Sequence, residues 1–196
     1  MLDALATRVI AESHLVRAPG NAPLVLEERG QRSTCENTPV HHRGAYFGVK
    51  LRGNEHLRCL RGRPEEDTGF CNLPDYLIFS SASSKRGEPI LRVLLVEMKS
   101  GGAGRSRAMR QLQLGVPVAG YLAALARLDA PALALPAVHQ AGVILSPDLP
   151  AARVKTRRGQ FGYDPVLDAK TGIYLYDAPC GEDLYLDQFS YVPARI

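Results

Sequence analysis

The chain has 196 residues, of which 45% are hydrophobic and 22% are charged, and its formal net charge is +4. This length and composition are typical of one globular domain spanning residues 1–196. No run approaches the roughly 18 apolar residues of a membrane span, and the first 20 residues lack the basic start and apolar centre of a signal peptide. We therefore expect no membrane partner and a cytoplasmic location. The modest positive charge is compatible with a polyanionic partner without indicating one by itself.

The first half of the chain contains patterns for one helix and three strands. Apolar residues at helical spacing predict a helix over residues 2–16, and a β-prone run predicts a strand at 45–51 between turn-forming stretches. Two further strands are predicted at 75–79 and 91–96, joined by a polar loop over 80–89. The 91–96 run is apolar on both faces, which is typical of a central strand covered by helices.

The second half begins with a glycine-rich turn and a long helix, predicted from residue 105 to about residue 128. Pro117 is expected to kink or split this helix near Gly115. A strand is predicted at 138–145, and the runs 173–177 and 184–187 predict a terminal hairpin. The order of elements predicts an α/β or α+β domain with a mixed central β-sheet flanked by helices. Its core would span about residues 2–145, with a C-terminal strand and hairpin extension over 146–196.

Three ionisable residues lie at the ends of two neighbouring predicted strands. Glu97 and Lys99 follow the apolar run 91–96, and Asp75 opens the preceding strand. Because side chains alternate along a strand, Glu97 and Lys99 project from the same face. Antiparallel pairing of the two strands would place Asp75 beside them at one edge of the sheet. The sequence therefore predicts a site with two carboxylates and one ammonium group.

This set of groups fits a divalent metal site. Two adjacent carboxylates repel each other, and a divalent cation removes that penalty. Mg²⁺ prefers one or two carboxylates together with waters and phosphate oxygens, so Mg²⁺ or Mn²⁺ is the expected cofactor. The metal would activate a water molecule and neutralise charge on a phosphate, while Lys99 would position the nucleophile or stabilise the developing negative charge. The site therefore points to phosphodiester hydrolysis.

The same residues resemble the PD-(D/E)xK nuclease superfamily. Pro74-Asp75 is followed by 21 intervening residues and then by Glu97-Met98-Lys99. The resemblance implies a restriction-endonuclease-like core: a helix, a three-stranded antiparallel meander, a helix and a further strand. It also implies that Asp75, Glu97 and the Met98 carbonyl bind the metal and that Lys99 is the catalytic lysine.

Two further site residues are implied by the resemblance alone. Family members commonly carry a glutamine that faces the metal on the helix after the motif, and here that residue is Gln111. Many relatives also use a glutamate from the first helix. The candidate on a predicted helix is Glu12, and Glu36 in a polar stretch is the competing candidate.

Three arginines are candidates for nucleic-acid binding. Arg105, Arg107 and Arg110 fall on the turn and first helical turns beside the predicted site. Guanidinium groups suit phosphate oxygens, although a solvated basic helix face is the alternative reading.

The remaining reactive residue types show no catalytic pattern. The four cysteines at positions 35, 59, 71 and 180 lack the paired spacing of a zinc site and are expected to be buried free thiols. His41, His42 and His56 are expected to be loop residues, and no serine or cysteine has recognisable triad partners.

The sequence thus predicts a metal-dependent nuclease, with DNA favoured over RNA as substrate. The resemblance suits a role in defence or repair, in which a homodimer or a partner protein supplies specificity. The alternative is an inactive nuclease-like subunit kept for nucleic-acid binding or assembly. Such subunits usually lose an acid or the lysine, whereas Asp75, Glu97 and Lys99 are all retained.

Overall fold

The structure is a computed structural model, which describes residues 2–20, 22–28, 35, 37–51, 73–99, 104–129, 137–147, 153–155, 161–163 and 165–193. The strands, numbered in chain order, are β1 (Leu15–Val16), β2 (Leu24–Leu26), β3 (Thr38–His41), β4 (Tyr46–Lys50), β5 (Tyr76–Ser83), β6 (Pro89–Met98), β7 (Ala137–Ser146), β8 (Arg153–Lys155), β9 (Phe161–Tyr163), β10 (Val166–Leu167), β11 (Tyr174–Pro179), β12 (Leu184–Tyr185) and β13 (Val192–Pro193). The helices are α1 (Leu2–Ala4), continued by a π-helical turn (Leu5–Val9), and α2 (Arg105–Asp129), with short 3-10 turns at Glu12–His14 and Leu186–Gln188.

The central element is an eight-stranded mixed sheet within the described residues. Its order is β1-β4-β5-β6-β7-β11-β10, and β13 also pairs with β7. Strands β4, β5 and β6 form an antiparallel meander, whereas β6, β7 and β11 run parallel to one another. A long helix is the usual connection between parallel neighbours, and α2 joins β6 to β7 in this way. The predicted α+β class with a mixed central sheet is confirmed.

One face of this sheet is covered by α2 and by the N-terminal helical segment. The residues of α2 that face the sheet are small or aliphatic and recur at helical spacing, and they include Ala108, Leu112, Val116, Ala119, Ala123 and Ala126. They pack against alternate residues of the central strands, among them Leu77, Phe79, Leu91, Val93 and Leu95. The face that carries Leu95 is therefore also the face onto which Glu97 projects.

The other face is covered differently from the prediction of flanking helices, which is wrong for this side. A small sheet of order β12-β3-β2 packs here, together with the segment around Phe189. In β2, Leu24 and Leu26 are fully buried, while Val25 between them is exposed. This alternation lets a short strand cover the apolar residues Ile78, Leu94 and Val143 of the large sheet.

Two helix predictions need correction. The predicted helix over 2–16 ends at Val9, and Leu15–Val16 pairs instead with β4. Backbone pairing of β1 with Val49 and Gly48 competes successfully with a weak helical pattern. Pro117 does not split α2, which is continuous over Arg105–Asp129. Its neighbours Val116 and Val118 are buried against the sheet, and this packing offsets the lost backbone hydrogen bond.

The C-terminal hairpin is also predicted wrongly. Strand β11 pairs parallel to β7 in the large sheet, whereas β12 pairs parallel to β3 in the small one. The two runs are therefore separated between sheets, and β11 is an integral neighbour of β7. The predicted strand at 138–145 is confirmed and extends over Ala137–Ser146. None of the described helices is both long enough and apolar enough to cross a bilayer.

Hydrogen bonds to Asp168 link the turn before β11 to helix α2. Its carboxylate accepts hydrogen bonds from the Thr171 backbone amide (2.9 Å), the Thr171 hydroxyl (2.6 Å) and the Gln113 side-chain amide (3.0 Å). Burial alone raises the pKa of this carboxyl, but the hydrogen bonds from Thr171 and Gln113 outweigh it and leave the pKa below its ordinary value.

We expect Asp168→Asn to lower the free energy of unfolding at pH 7 by about 1–2 kcal/mol. Because the folded-state pKa lies below the unfolded one, this stabilisation is present above the unfolded pKa and is lost as the pH falls through the folded one. Urea unfolding of the wild type and the variant should therefore converge below about pH 4. A stability difference that stays constant down to the acid limit would contradict this assignment.

Candidate active site at the ends of β5 and β6

Strand pairing brings Asp75 to the end of β6. Tyr76 pairs with Val96, so one further step of the antiparallel register places Asp75 opposite Glu97. Asp75 Oδ2 accepts a hydrogen bond of 2.8 Å from the Met98 amide. The exposed fractions are only 4% for Asp75 and 2% for Glu97. The two predicted carboxylates therefore lie together in a buried position, as the strand pattern indicated.

Lys99 supplies the positive charge of the cluster. Its Nζ lies 2.5 Å from Glu97 Oε1 and donates a second hydrogen bond of 2.8 Å to Gln111 Oε1. The backbone amide of Lys99 donates to the Leu145 carbonyl at 2.8 Å, which holds the end of β6 against β7. The side chain is 20% exposed. The ammonium group is thus fixed by two partners and remains accessible from one side.

Gln111 joins the helix to both strands. Besides accepting from Lys99, it donates from Nε2 to the Leu73 carbonyl at 3.1 Å, just before Asp75. It is buried, with 8% of its surface exposed. The helix approaches closely here because Gly115, one turn later, leaves room for Leu95 and Pro74. The glutamine predicted at the site is present, and its contacts are those of a residue that orients Lys99.

The donor set of this cluster fits a hard divalent cation. The backbone amide of Lys99 donates to β7. Because the N–H and C=O groups of successive strand residues point to opposite neighbours, the amide and the carbonyl of Met98 point towards β5 and Asp75. Two carboxylates and a carbonyl oxygen are ligands that Mg²⁺ accepts, with the remaining positions left for water and substrate oxygens. Within the described residues no three His, Cys, Asp or Glu side chains are grouped as metal ligands. Among those residues, the side chains that could hold a metal here are Asp75 and Glu97.

Glu12 is not brought to this cluster. It lies on the short 3-10 turn Glu12–His14, its side chain is 79% exposed, and it pairs with Arg17 at 3.6 Å. The N-terminal helix ends before it, so the backbone no longer directs this side chain onto the sheet. Glu36, the competing candidate, lies outside the described residues.

The three predicted nucleic-acid-binding arginines lie at the start of α2, where all three are exposed. Arg105 forms an ion pair with Asp177 of β11. Asp177 was not identified from the sequence. It lies level with Glu97 in the sheet, because both residues pair with Ile144 of the intervening strand β7. The available signal was an acid directly after an apolar run, the same pattern that identified Glu97.

The remaining candidates lie elsewhere. His41 and His42 are at the end of β3 and beyond it, in the small sheet, while His56, Cys59 and Cys71 fall outside the described residues. Cys35 is a buried thiol outside any disulfide, as predicted, and Cys180 is a half-buried thiol. Burial and the hydrogen bond with Cys180 raise the pKa of Cys35 above its ordinary value, which makes it a poor nucleophile.

Comparison of the chain with protein-family models, with curated proteins and with solved structures finds no match.

Proposed function

We propose that this protein is a metal-dependent nuclease of the PD-(D/E)xK type, with Mg²⁺ or Mn²⁺ as cofactor. The observation that carries the proposal is the burial of two carboxylates, Asp75 and Glu97, opposite each other at the ends of adjacent strands, with Lys99 paired to Glu97. Burial of two carboxylates costs free energy, and ionisable groups of this kind are concentrated at functional sites.

The arrangement of elements supports the finer fold assignment, a restriction-endonuclease-like core. An N-terminal helical segment is followed by the antiparallel meander β4-β5-β6, by α2, and by β7 parallel to β6. This is the order of elements that the resemblance implies, and Asp75, Glu97 and Lys99 occupy the corresponding strand ends.

In the proposed reaction, Asp75 and Glu97 would hold a divalent cation, with Asp75 oriented by the Met98 amide. A cation held there would lower the pKa of a water molecule and neutralise charge on the phosphate. Lys99, held between Glu97 and Gln111, stabilises the negative charge that develops on the phosphate or positions the attacking water. Because the ammonium group is already fixed, little reorganisation is needed when the substrate binds.

DNA is the proposed substrate, with RNA less favoured, and the exposed arginines Arg105, Arg107 and Arg110 are proposed to contact its phosphates. Specificity would come from a second copy of the chain or from a partner protein, in a defence or repair setting and in the cytoplasm. The alternative, a nuclease-like subunit that binds nucleic acid without cutting it, is a distinct outcome of the experiment below.

The test is incubation of the purified protein with plasmid, linear and single-stranded DNA and with RNA, in Mn²⁺, Mg²⁺ or EDTA. We expect cleavage with Mn²⁺ or Mg²⁺ and none with EDTA. Asp75→Asn should lower the rate at least about 100-fold, because a metal-binding carboxylate is lost while the shape is retained. Glu12→Gln, which changes an exposed acid outside the cluster, is the matched control and should cleave normally.

A second measurement separates loss of chemistry from loss of structure. Mn²⁺ at millimolar concentration should raise the melting temperature of the wild type, since a ligand that binds only the folded state stabilises it, and should leave that of Asp75→Asn unchanged. Binding of DNA without cleavage under every metal condition would overturn the proposal and favour the non-catalytic subunit.

A further inference from the structure

Two cysteine side chains, those of Cys35 and Cys180, meet on the small-sheet side of the large sheet. Both pack against the apolar cluster that includes Met98, Leu145 and Ala178. A hydrogen bond joins the two thiols, and burial and this hydrogen bond raise the pKa of Cys35. A hydrogen bond with that effect stabilises the protonated thiol, so Cys35 is the donor and the Cys180 sulfur is the acceptor. The two sulfur atoms are therefore in direct contact.

Other contacts hold the same two chain segments together. The Gly181 amide, directly after Cys180, donates a hydrogen bond of 3.0 Å to the hydroxyl of Thr38, a residue shortly after Cys35. Strand β12, which follows Cys180, pairs parallel to β3, which follows Cys35. The Cys180 amide also donates to the Ser146 carbonyl at 3.3 Å, which fixes the end of β11 against β7. A disulfide needs both the backbones and the side chains of two cysteines to be close, and these contacts bring the two segments together.

The two thiols differ in their accessibility. Cys35 is fully buried, with an exposed fraction of 0%, whereas Cys180 is only half-buried. A small oxidant that diffuses to the pair therefore meets Cys180 first. Redox-active pairs commonly combine an accessible cysteine, which is oxidised first, with a neighbouring cysteine that resolves the product. Here Cys180 fits the first role and Cys35 fits the second.

We propose that Cys35 and Cys180 form an oxidisable dithiol, which a peroxide converts into a disulfide in the folded protein. In the first step the Cys180 thiolate attacks one oxygen of hydrogen peroxide, the O–O bond breaks, and the leaving hydroxide takes up a proton to form water. Cys180 is then a sulfenic acid. In the second step the Cys35 sulfur attacks the Cys180 sulfur, the S–O bond breaks, and the hydroxide leaves with the Cys35 proton as water. Two thiols and one hydrogen peroxide thus give one disulfide and two waters, and the two electrons lost by sulfur reduce the peroxide.

The dithiol lies at the same end of the large sheet as the proposed nuclease centre, but on the opposite face. Met98 and Ala178 both pair with Leu145, so the ends of β6 and β11 are level. The thiols pack on the small-sheet side, whereas Glu97 projects to the α2 side. The proposal therefore concerns different side chains and does not rest on the nuclease assignment. In a reducing compartment the two thiols would be the resting state, and the disulfide would form only while an oxidant is present.

The test is oxidation of the reduced, full-length chain with an equimolar amount of hydrogen peroxide in EDTA, which suppresses metal-catalysed side reactions. Remaining thiols are alkylated, and the peptides are mapped by mass spectrometry. We expect the intact mass to fall by two hydrogens and the main cross-linked peptide to contain Cys35 and Cys180. The same oxidation in denaturing urea is the control. Loop closure then governs pairing, so the pair closest in sequence, Cys59 and Cys71, should form more readily than the most distant pair, Cys35 and Cys180.

Matched variants then assign the two roles. Cys35→Ala removes the resolving thiol, so Cys180 should stop at the sulfenic acid, which dimedone traps as a stable adduct. Cys180→Ala removes the accessible thiol, and Cys35 should then stay reduced. Cys71→Ala is the control and should form the same disulfide as the wild type. The peptide map of the wild type does not depend on the folding of any variant.

Thermal unfolding shows whether the native fold accommodates the bond. The disulfide would close a loop of most of the chain, so oxidation should raise the melting temperature of the wild type by at least about 5 °C. Dithiothreitol should reverse this rise, and Cys180→Ala should show none. The proposal is overturned if the folded chain keeps its full mass, if its main cross-link joins any other pair, or if oxidation lowers the melting temperature.

Discussion

Replacement of Lys99 by methionine is expected to lower the free energy of unfolding by about 3–5 kcal/mol and to abolish cleavage. The substitution keeps most of the side-chain volume but removes the charge that pairs with Glu97, which is 2% exposed. A buried carboxylate without its counter-charge is costly, so the loss of stability should far exceed that of a surface pair. Denaturant unfolding of the metal-free protein measures this effect directly.

The double variant Glu97→Gln/Lys99→Met separates the structural and catalytic contributions. Removing both charges should restore most of the stability lost in Lys99→Met, because no unpaired charge remains, while cleavage should stay absent. Arg17→Ala, which breaks the exposed pair with Glu12, is the matched control and should change stability by less than about 1 kcal/mol. A fully active double variant would contradict the catalytic assignment of Lys99. Equal stability of Lys99→Met and wild type would contradict the buried pair.

Gly115→Ala is expected to destabilise the protein by about 1–3 kcal/mol, although the same change usually stabilises an exposed helix by about 1 kcal/mol. An added Cβ would lie 2.5 Å from Leu95 Cδ2 and 2.7 Å from Pro74 Cγ. The proline ring is rigid and adjoins Asp75, so the helix must move away from the sheet. This movement would stretch the Gln111 hydrogen bonds to Lys99 and to Leu73, and cleavage should fall with stability.

A double-mutant cycle checks that steric contact causes this loss. Gly115→Ala combined with Leu95→Ala should lose less stability than the sum of the two single changes, because the truncated side chain vacates part of the space needed by the new methyl group. Thermal unfolding of the four proteins measures the coupling. A Gly115→Ala protein that is more stable than wild type would refute the close approach of α2 to Pro74.

The two strands that carry the site were predictable because buried strands consist mainly of apolar residues, which can be recognised in the sequence. The run over 91–96 is apolar on both faces, which is typical of a central covered strand. Where the run ends, Glu97 and Lys99 are polar and share a face. The antiparallel partner followed from the short loop after β5, and the observed register agrees with it.

The ends of the chain were less predictable, because their residues do not specify a partner. Leu15 and Val16 fit a helix as well as a strand, and their pairing with β4 decides between the two. The runs containing Tyr174 and Leu184 look like the strands of one hairpin, yet each pairs with a strand distant in sequence. Such pairing depends on which strand edges are still unpaired when the rest of the sheet has formed, and the local sequence pattern does not predict this.

In the candidate site, too, some features were predictable from the sequence and others required the tertiary structure. Asp75, Glu97 and Lys99 were named from their positions on strands, since strand geometry alone brings them together. The role of Gln111 as the partner of Lys99 and the pairing of Arg105 with Asp177 required α2 and β11 to be placed against the sheet. Glu12 was selected on an assumed helix, and the interruption of that helix removes the reason for the choice.

The amino-acid sequence by itself therefore determined the class of the fold, the central strands and the chemical nature of the proposed nuclease centre. These features depend on local periodicity and on pairing of strands close in sequence, and both can be inferred from neighbouring residues. Only the tertiary structure decided how α2 holds Lys99 and which strand lies beside β7. These features are contacts between residues far apart in the chain, and they are settled by packing of whole elements rather than by any local pattern.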